Sequence, residues 1–170
     1  MQITLTDTGK RYNREWIFRH FSFDFMPGKT YAITGPNGSG KSTLLQVAAG
    51  AILHSEGKID YYTGENKTTI PTGEAYKKIS LATPYLELVE EMTASEMLAF
   101  HAGFKELSHP AEDILSAVTL EKAAHKQIRY FSSGMKQRLK LGMAFFSKTP
   151  VLLLDEPTTN LDAEGITLYL

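Results

Sequence analysis

Thr30-Tyr31-Ala32-Ile33-Thr34-Gly35-Pro36-Asn37-Gly38-Ser39-Gly40-Lys41-Ser42 is the stretch that decides the fold. Its first five residues read as a short buried strand. The next eight match G-x-x-x-x-G-K-[ST] with no mismatch. Residues 42–49 read as a helix, which Gly50 can stop. Strand, loop and helix in that order make a phosphate site. Glycines let several backbone N–H groups converge on phosphate oxygens without a Cβ clash. The helix behind them adds its positive N-terminal end. Lys41 is placed to reach β- and γ-phosphates, and the Ser42 hydroxyl to ligate Mg²⁺. The bland alternative is a Gly-rich turn that happens to contain a lysine. The strand before it and the helix after it speak against that.

On the N-terminal side, Ile3 and Leu5 alternate with polar residues, as do Phe21, Phe23 and Phe25, so this part reads as strands. Pro27-Gly28 is a turn. Beyond the loop, residues 56–79 are polar and turn-rich, which suggests short antiparallel strands, and 79–82 suggests one more. Thr93-Ala94-Ser95-Glu96 is a capping box ahead of an apolar helix over 97–104. A second helix is expected over 111–118. Together they predict a small helical insert at about residues 86–130. A longer helix should run from Gly134 to Lys148. Leu139, Gly142, Met143 and Phe146 fall on one of its faces, with Lys136 and Lys140 elsewhere. Val151-Leu152-Leu153-Leu154 is a continuous apolar run, expected to be a strand buried on both faces of a parallel sheet.

The bulk numbers narrow the function classes. A chain of 170 residues with 42% hydrophobic content suits one domain with its own core. Lys plus Arg (18) and Asp plus Glu (19) nearly cancel to −1, so bulk charge does not argue for nucleic acid or an anionic membrane as the main partner. The absence of cysteine removes disulfides, zinc thiolates and thiol catalysis. Residues 1–16 show no apolar signal segment, and no apolar run approaches the length of a membrane span. Any bilayer crossing would fall to another chain.

The Val151–Leu154 run delivers Asp155-Glu156. Asp155 is placed to hold Mg²⁺ through its water, and Glu156 to polarise an attacking water as general base. A solvated strand end would look the same in isolation. Phe131-Ser132-Ser133-Gly134-Met135-Lys136-Gln137-Arg138 precedes a helix. Two readings are open there. Ser132 and the N–H groups around Gly134 would form a second anion site, or Ser133 is simply the N-cap.

The order GPNGSGKST, FSSGMKQR, LLLDEPTTNLD resembles that of ABC ATPase nucleotide-binding domains, over almost the whole chain. The resemblance implies an α/β fold: a P-loop NTPase core sheet with an antiparallel β part and a small helical insert. It implies that ATP and Mg²⁺ are bound. The phosphate set would be Gly35, Pro36, Asn37, Gly38, Ser39, Gly40, Lys41, Ser42 and Thr43, with Ser42 and Asp155 at the metal and Glu156 catalytic. FSSGMKQR resembles the family signature, so Ser132, Ser133 and Gly134 would contact the nucleotide of a second ABC subunit in a head-to-tail dimer. Asp162, in Asn160-Leu161-Asp162, resembles the D-loop acid. Tyr12 stands where the family has an aromatic that stacks on adenine, with Trp16 as a nearby rival and strand packing as the plain alternative.

The resemblance further implies a subunit that powers a transporter. It would sit on the cytoplasmic face of the membrane through a permease chain, coupled by the helical insert and Thr83-Pro84-Tyr85, with no nucleic acid partner. A soluble ABC ATPase acting on ribosomes or DNA is the alternative; the single phosphate loop and the lack of heptads disfavour it. Two departures stand out. Pro84 falls where the family has a glutamine, and proline can neither ligate a metal nor donate a hydrogen bond. Thr83 could offer a hydroxyl. The family's switch histidine is also not matched: His20, His54, His101, His109 and His125 all precede Asp155. Fourteen residues follow Glu156, read as a turn and the start of a helix over 163–170. The expectation is therefore an ABC domain over 1–170 that is incomplete at its C-terminal side. Without the strand between the phosphate-loop strand and the Val151–Leu154 strand, 1–170 alone is expected to be poorly folded and inactive.

Overall fold

A computed structural model describes residues 1–161 and 165–167. The chain forms two compact units, Met1–Ile79 and Ser80–Leu170. Helices and sheets are mixed along the chain in an α/β architecture, with an antiparallel sheet in the first unit and a helical part in the second.

The first unit is a four-stranded antiparallel sheet in the order β2-β1-β3-β4, where β1 is Gln2–Tyr12, β2 Glu15–Phe25, β3 Glu56–Thr63 and β4 Thr68–Ile70. Register pairs Ile3 with Tyr61 and Leu5 with Ile59, so period-two alternation puts these four on one buried face. Helix α1 (Lys41–Ala48) contributes Leu44, Val47 and Ala48 to the same core. The buried Tyr61 hydroxyl donates to the Ala48 carbonyl at 3.1 Å. Burial holds that phenol in its neutral, donating form by raising its pKa to about 12. Residues 72–78 form a 3₁₀ turn rather than a strand.

The expected strand at Thr30-Tyr31-Ala32-Ile33-Thr34 does not form: this segment joins no ladder and most of it is exposed. β-formers set a local preference, but a strand also needs a neighbour for its N–H and C=O groups. Among the described residues none pairs with it. Tyr31 instead packs edge-on against Phe23 and Phe25 and accepts the Met26 N–H.

The second unit holds α2 (Ala94–Ala102), α3 (Ala111–Ala117), α4 (Ser133–Phe145) and a two-stranded sheet of β5 (Ile79–Ala82, of which residues 80–82 belong to this unit) and β6 (Val151–Leu154). The Thr93–Glu96 capping box forms in full. Leu98, Ile114, Leu115, Leu120, Ile128 and Leu139 are fully buried, with Met97 and Met143 beside them. Each buried Leu or Ile stabilises by about 1.5–3 kcal/mol. Leu141 and Ala144, on another face of α4, pack with Ala82 and Leu154. Thus α4 buries two faces, and Lys140, read as lying on the polar side, is 8% exposed. The helix ends at Phe145, short of Lys148. β6 is only half-buried, with Leu152 39% exposed. It has β5 alone beside it among the described residues, so burial on both faces is not achieved. Of the helix expected over 163–170, residues 165–167 are helical and the rest lie outside the described residues.

His101 gives this unit an acid-sensitive point. Ser147 Oγ donates to the Met143 carbonyl at 2.6 Å, so the His101 Nε2, 2.8 Å away, acts as donor to that hydroxyl. Burial, and then the charge of Lys105, push the His101 pKa down to about 4. Between that value and the unfolded value near 6.5 the unfolded chain binds more protons, so stability is full above about pH 6.5 and declines as pH falls toward 4. His101→Gln keeps a donor and should flatten that decline, read as urea midpoints at pH 7 and pH 5. Parallel declines in both proteins would place the acid sensitivity elsewhere.

Candidate functional site

The loop ahead of α1 is built on left-handed glycines: φ is +80° at Gly38 and +88° at Gly40. At Gly40 there is a second constraint, because a Cβ would stand 2.7 Å from Ile17 Cγ2 and 3.4 Å from the Ile17 carbonyl. Strand β2 therefore backs the loop directly. Ser39 N–H donates to the Pro36 carbonyl at 3.2 Å and closes the turn. The first helical bond runs from Leu44 N–H to the Gly40 carbonyl at 2.8 Å. The amides of Lys41, Ser42 and Thr43 thus precede the helical ladder, where an N-terminus offers donors to an anion. Lys41 Nζ donates to the carbonyls of Gly35 (3.0 Å) and Pro36 (2.8 Å), so its ammonium is folded over the mouth of the loop. Pro36, Asn37 and Ser39 are exposed, while Lys41, Ser42 and Thr43 are half-buried. The whole phosphate set is contiguous in the first unit.

The contact with Ile17 also brings the β1–β2 hairpin end to this loop. Two guanidinium groups stand near the Trp16 ring, Arg19 at 4.1 Å and Arg11 at 5.4 Å from its centre. Arg19 is in turn fixed by a two-point bond to Glu56, at 2.9 and 2.8 Å. Tyr12 is 48% exposed, with Lys10 4.8 Å from its ring centre. Both aromatic candidates have cations near the ring, and Tyr12 is the more exposed of the two.

In the second unit, β6 is followed directly by Asp155, which is 4% exposed and whose N–H donates to the Ala82 carbonyl at 2.9 Å. Glu156 follows, exposed, with φ +44°. That backbone costs a non-glycine residue about 1–2 kcal/mol. Thr159 holds it from both sides. Its hydroxyl donates to Glu156 Oε2 at 3.1 Å and its N–H to the Glu156 carbonyl at 3.0 Å. A carboxylate held by a tight turn at a strand end is the kind of group that can accept a proton from water.

At the start of α4 the cap is Ser132, not Ser133: Ser132 Oγ accepts the Met135 N–H at 3.2 Å, while Ser133 is already helical. The two readings of this serine are compatible. The oxygen accepts, and the hydroxyl proton remains for an anion. Ser132 and Ser133 are exposed; a Cβ on Gly134 would meet the Asn160 carbonyl at 3.0 Å. Asp162 lies outside the described residues. Thr83 is turned inward, 3% exposed, its hydroxyl accepting the Tyr85 N–H at 3.1 Å. Two polar residues of α4 were not singled out from sequence, Gln137 and Lys140. Gln137 is 2% exposed and donates to the Pro157 carbonyl at 3.1 Å. Their spacing, three apart and in step with Leu141 and Ala144, was the available signal.

Mg²⁺ takes hard oxygen ligands, only one or two of them from protein, and the rest from phosphate and water. The Ser42 hydroxyl at the start of α1 in the first unit and the buried Asp155 carboxylate in the second are each an oxygen ligand of that kind. Among the described residues no group of three or more His, Cys, Asp or Glu side chains gathers that could hold a metal ion without a nucleotide.

The chain has clear relatives. It is 32% identical over 164 residues to the linearmycin resistance ATP-binding protein LnrL of Bacillus subtilis, covering 92% of this chain and 51% of that protein. It is 39% identical over 150 residues to the cytochrome c biogenesis ATP-binding export protein CcmA of Xylella fastidiosa, covering 86% of this chain and 65% of that one. The chain thus spans from about half to two thirds of these relatives' length. A solved ATP-binding subunit of an ABC transporter superposes with TM-score 0.81 at 27% identity, over 99% of this chain and 71% of the other. A dimeric ATP-binding cassette in a post-hydrolysis state with ADP and Pi has the same fold, with TM-score 0.80 at 21% identity, over 98% and 81%. With the sequence model described as "ABC transporter" matching residues 18–159, the chain belongs to the ABC transporter family.

Proposed function

We propose that the protein binds Mg-ATP and hydrolyses it as the ATP-binding subunit of a membrane transporter. The observation that carries this is the loop at 35–40: left-handed glycines set against the start of α1, and the Lys41 ammonium over its mouth. Gly35 to Thr43 hold the phosphates, and Tyr12 stacks on the base. Ser42 and Asp155 hold Mg²⁺, which when bound neutralises charge on the β- and γ-phosphates. Glu156 takes a proton from the attacking water. Ser132, Ser133 and Gly134 contact the nucleotide held by a second copy, Asp162 serves as the D-loop acid that the family resemblance implies, and ATP closes the pair. Relatives named for export and for resistance support transport over a ribosome- or DNA-acting role. Among the described residues no helix is long and apolar enough to cross a membrane, so this reading assigns the crossing to a permease chain. The subunit then works at the cytoplasmic face. We further propose that residues 1–170 belong to a single ABC nucleotide-binding domain, of which they are a part, with its helical insert at about 86–130.

Ser132→Arg tests the shared site in the full-length protein. The exposed side chain would project a guanidinium where the second copy's nucleotide docks. ATP-dependent dimerisation on size exclusion should be lost, while monomer affinity for ATP changes less than about threefold, since the phosphates are held elsewhere. Ser132→Ala controls for the lost cap, which costs about 1 kcal/mol of stability. A fall in monomer affinity as large as that of Lys41→Ala would sink the two-copy site.

A further inference from the structure

Lys140 is 8% exposed at the middle of α4. Lysine is seldom buried unless its ammonium is paired. Among the described residues no carboxylate lies in ion-pair range of it. Its Nζ donates instead to two successive main-chain carbonyls, Pro84 at 2.7 Å and Thr83 at 3.4 Å. Burial, and then the charge of Lys136, lower its pKa, which reflects how far this ammonium has left water.

The position of these carbonyls matters. The preceding carbonyl, Ala82, accepts the N–H of Asp155. Three consecutive carbonyls from the last residue of β5 onward are therefore engaged: Ala82 by the acid-bearing strand end, Thr83 by the Leu86 N–H and α4 together, and Pro84 by α4. The Thr83 hydroxyl closes the turn onto the Tyr85 N–H. Pro84 has no N–H of its own to bond, so its carbonyl is the turn's remaining polar handle. One helical turn before Lys140, Gln137 donates to Pro157, in the turn that follows Glu156. A single helix face thus carries two buried donors. One holds the segment after Glu156, the other the segment after β5.

We infer that Lys140 is a positioning residue for ATP turnover: its ammonium fastens the Thr83–Pro84 turn to the helix that begins at Ser132-Ser133-Gly134, so that turn, helix and the Asp155-Glu156 strand end keep one geometry through the cycle. This rests on the ATPase reading above. A charge-assisted bond in a dry site is strong and directional. Without it the Pro84 carbonyl loses its donor, the Thr83 carbonyl keeps only the Leu86 N–H at 3.3 Å, and the turn is free to shift against α4. Displacements of this kind act on rate more than on ground-state binding.

The test is Lys140→Met in the full-length protein, which keeps chain length and removes charge. The kcat for ATP should fall about tenfold while KM stays within about twofold. Amide exchange across residues 83–89 should quicken about tenfold, with exchange in α2 and α3 unchanged. The urea midpoint should stay equal or rise, because an apolar side chain suits a buried site better than a charge. A merely structural lysine would show the opposite pattern: a lower midpoint, and turnover reduced only in step with the folded fraction. That result overturns the inference, as does a parental kcat. A parent protein with no ATP turnover would overturn the proposed function instead; unchanged exchange at 83–89 in the variant would then reject the tether independently.

Discussion

Glu156→Gln in the full-length protein should bind ATP like the parent and turn it over about 10²–10⁴-fold more slowly, the range a positioned general base supplies. The structure makes this substitution unusually clean. The Thr159 hydroxyl donates to Glu156 Oε2, and an amide oxygen in the same place accepts that bond equally well. The left-handed backbone at φ +44° is kept as well, since it belongs to the turn rather than to the charge. What disappears is the ability to take a proton from water. If closure needs ATP and opening needs its hydrolysis, the variant should also accumulate as an ATP-loaded dimer, seen as a doubling of mass on size exclusion with ATP. Turnover at the parental rate would remove Glu156 from the base role. Slow turnover without a dimer would leave the base in place and reject ATP-driven closure.

Motifs whose geometry is local were legible in the sequence. The 35–42 pattern specifies a glycine loop against a helix start, and Gly40 pressed on Ile17 shows why no other residue fits there. The Thr93–Glu96 box is likewise closed within four residues. What sequence did not yield depends on distant partners. Thr30–Thr34 has strand-forming residues but no adjacent strand among those described, and its aromatic turned to β2 instead. Val151–Leu154 reads as doubly buried, yet a strand is covered only by what stands on each side of it. Lys140 was set among polar positions because helical periodicity assigns one apolar face. Helix α4 packs on two, and a lysine three residues from Gln137 falls on the second. The capping serine was misplaced by one residue, since Ser132 and Ser133 are chemically equal and only the backbone turn separates them.

Lys41→Ala should weaken Mg-ATP binding by about 10–100-fold, the equivalent of one charge-assisted hydrogen bond of about 1.5–3 kcal/mol. Lys41 opens α1, and alanine is the strongest helix former, so the helix and its N-terminal end should persist. The buried face of α1 is made by Leu44, Val47 and Ala48, which the change does not touch. Loss of affinity would therefore come from the cation and not from loss of fold. In the structure that ammonium rests on the Gly35 and Pro36 carbonyls, two neutral acceptors on an exposed loop. Phosphate oxygens carry full negative charge and are better acceptors, so the exchange of partners favours the nucleotide. Lys41→Arg keeps the charge but replaces a compact ammonium by a wide planar fork, and should recover only part of the affinity. Calorimetric titration of the full-length parent and both variants decides the matter. Equal ATP affinity in the parent and the alanine variant would mean that the loop does not hold phosphate through this lysine, and the nucleotide reading of residues 35–43 would fall with it.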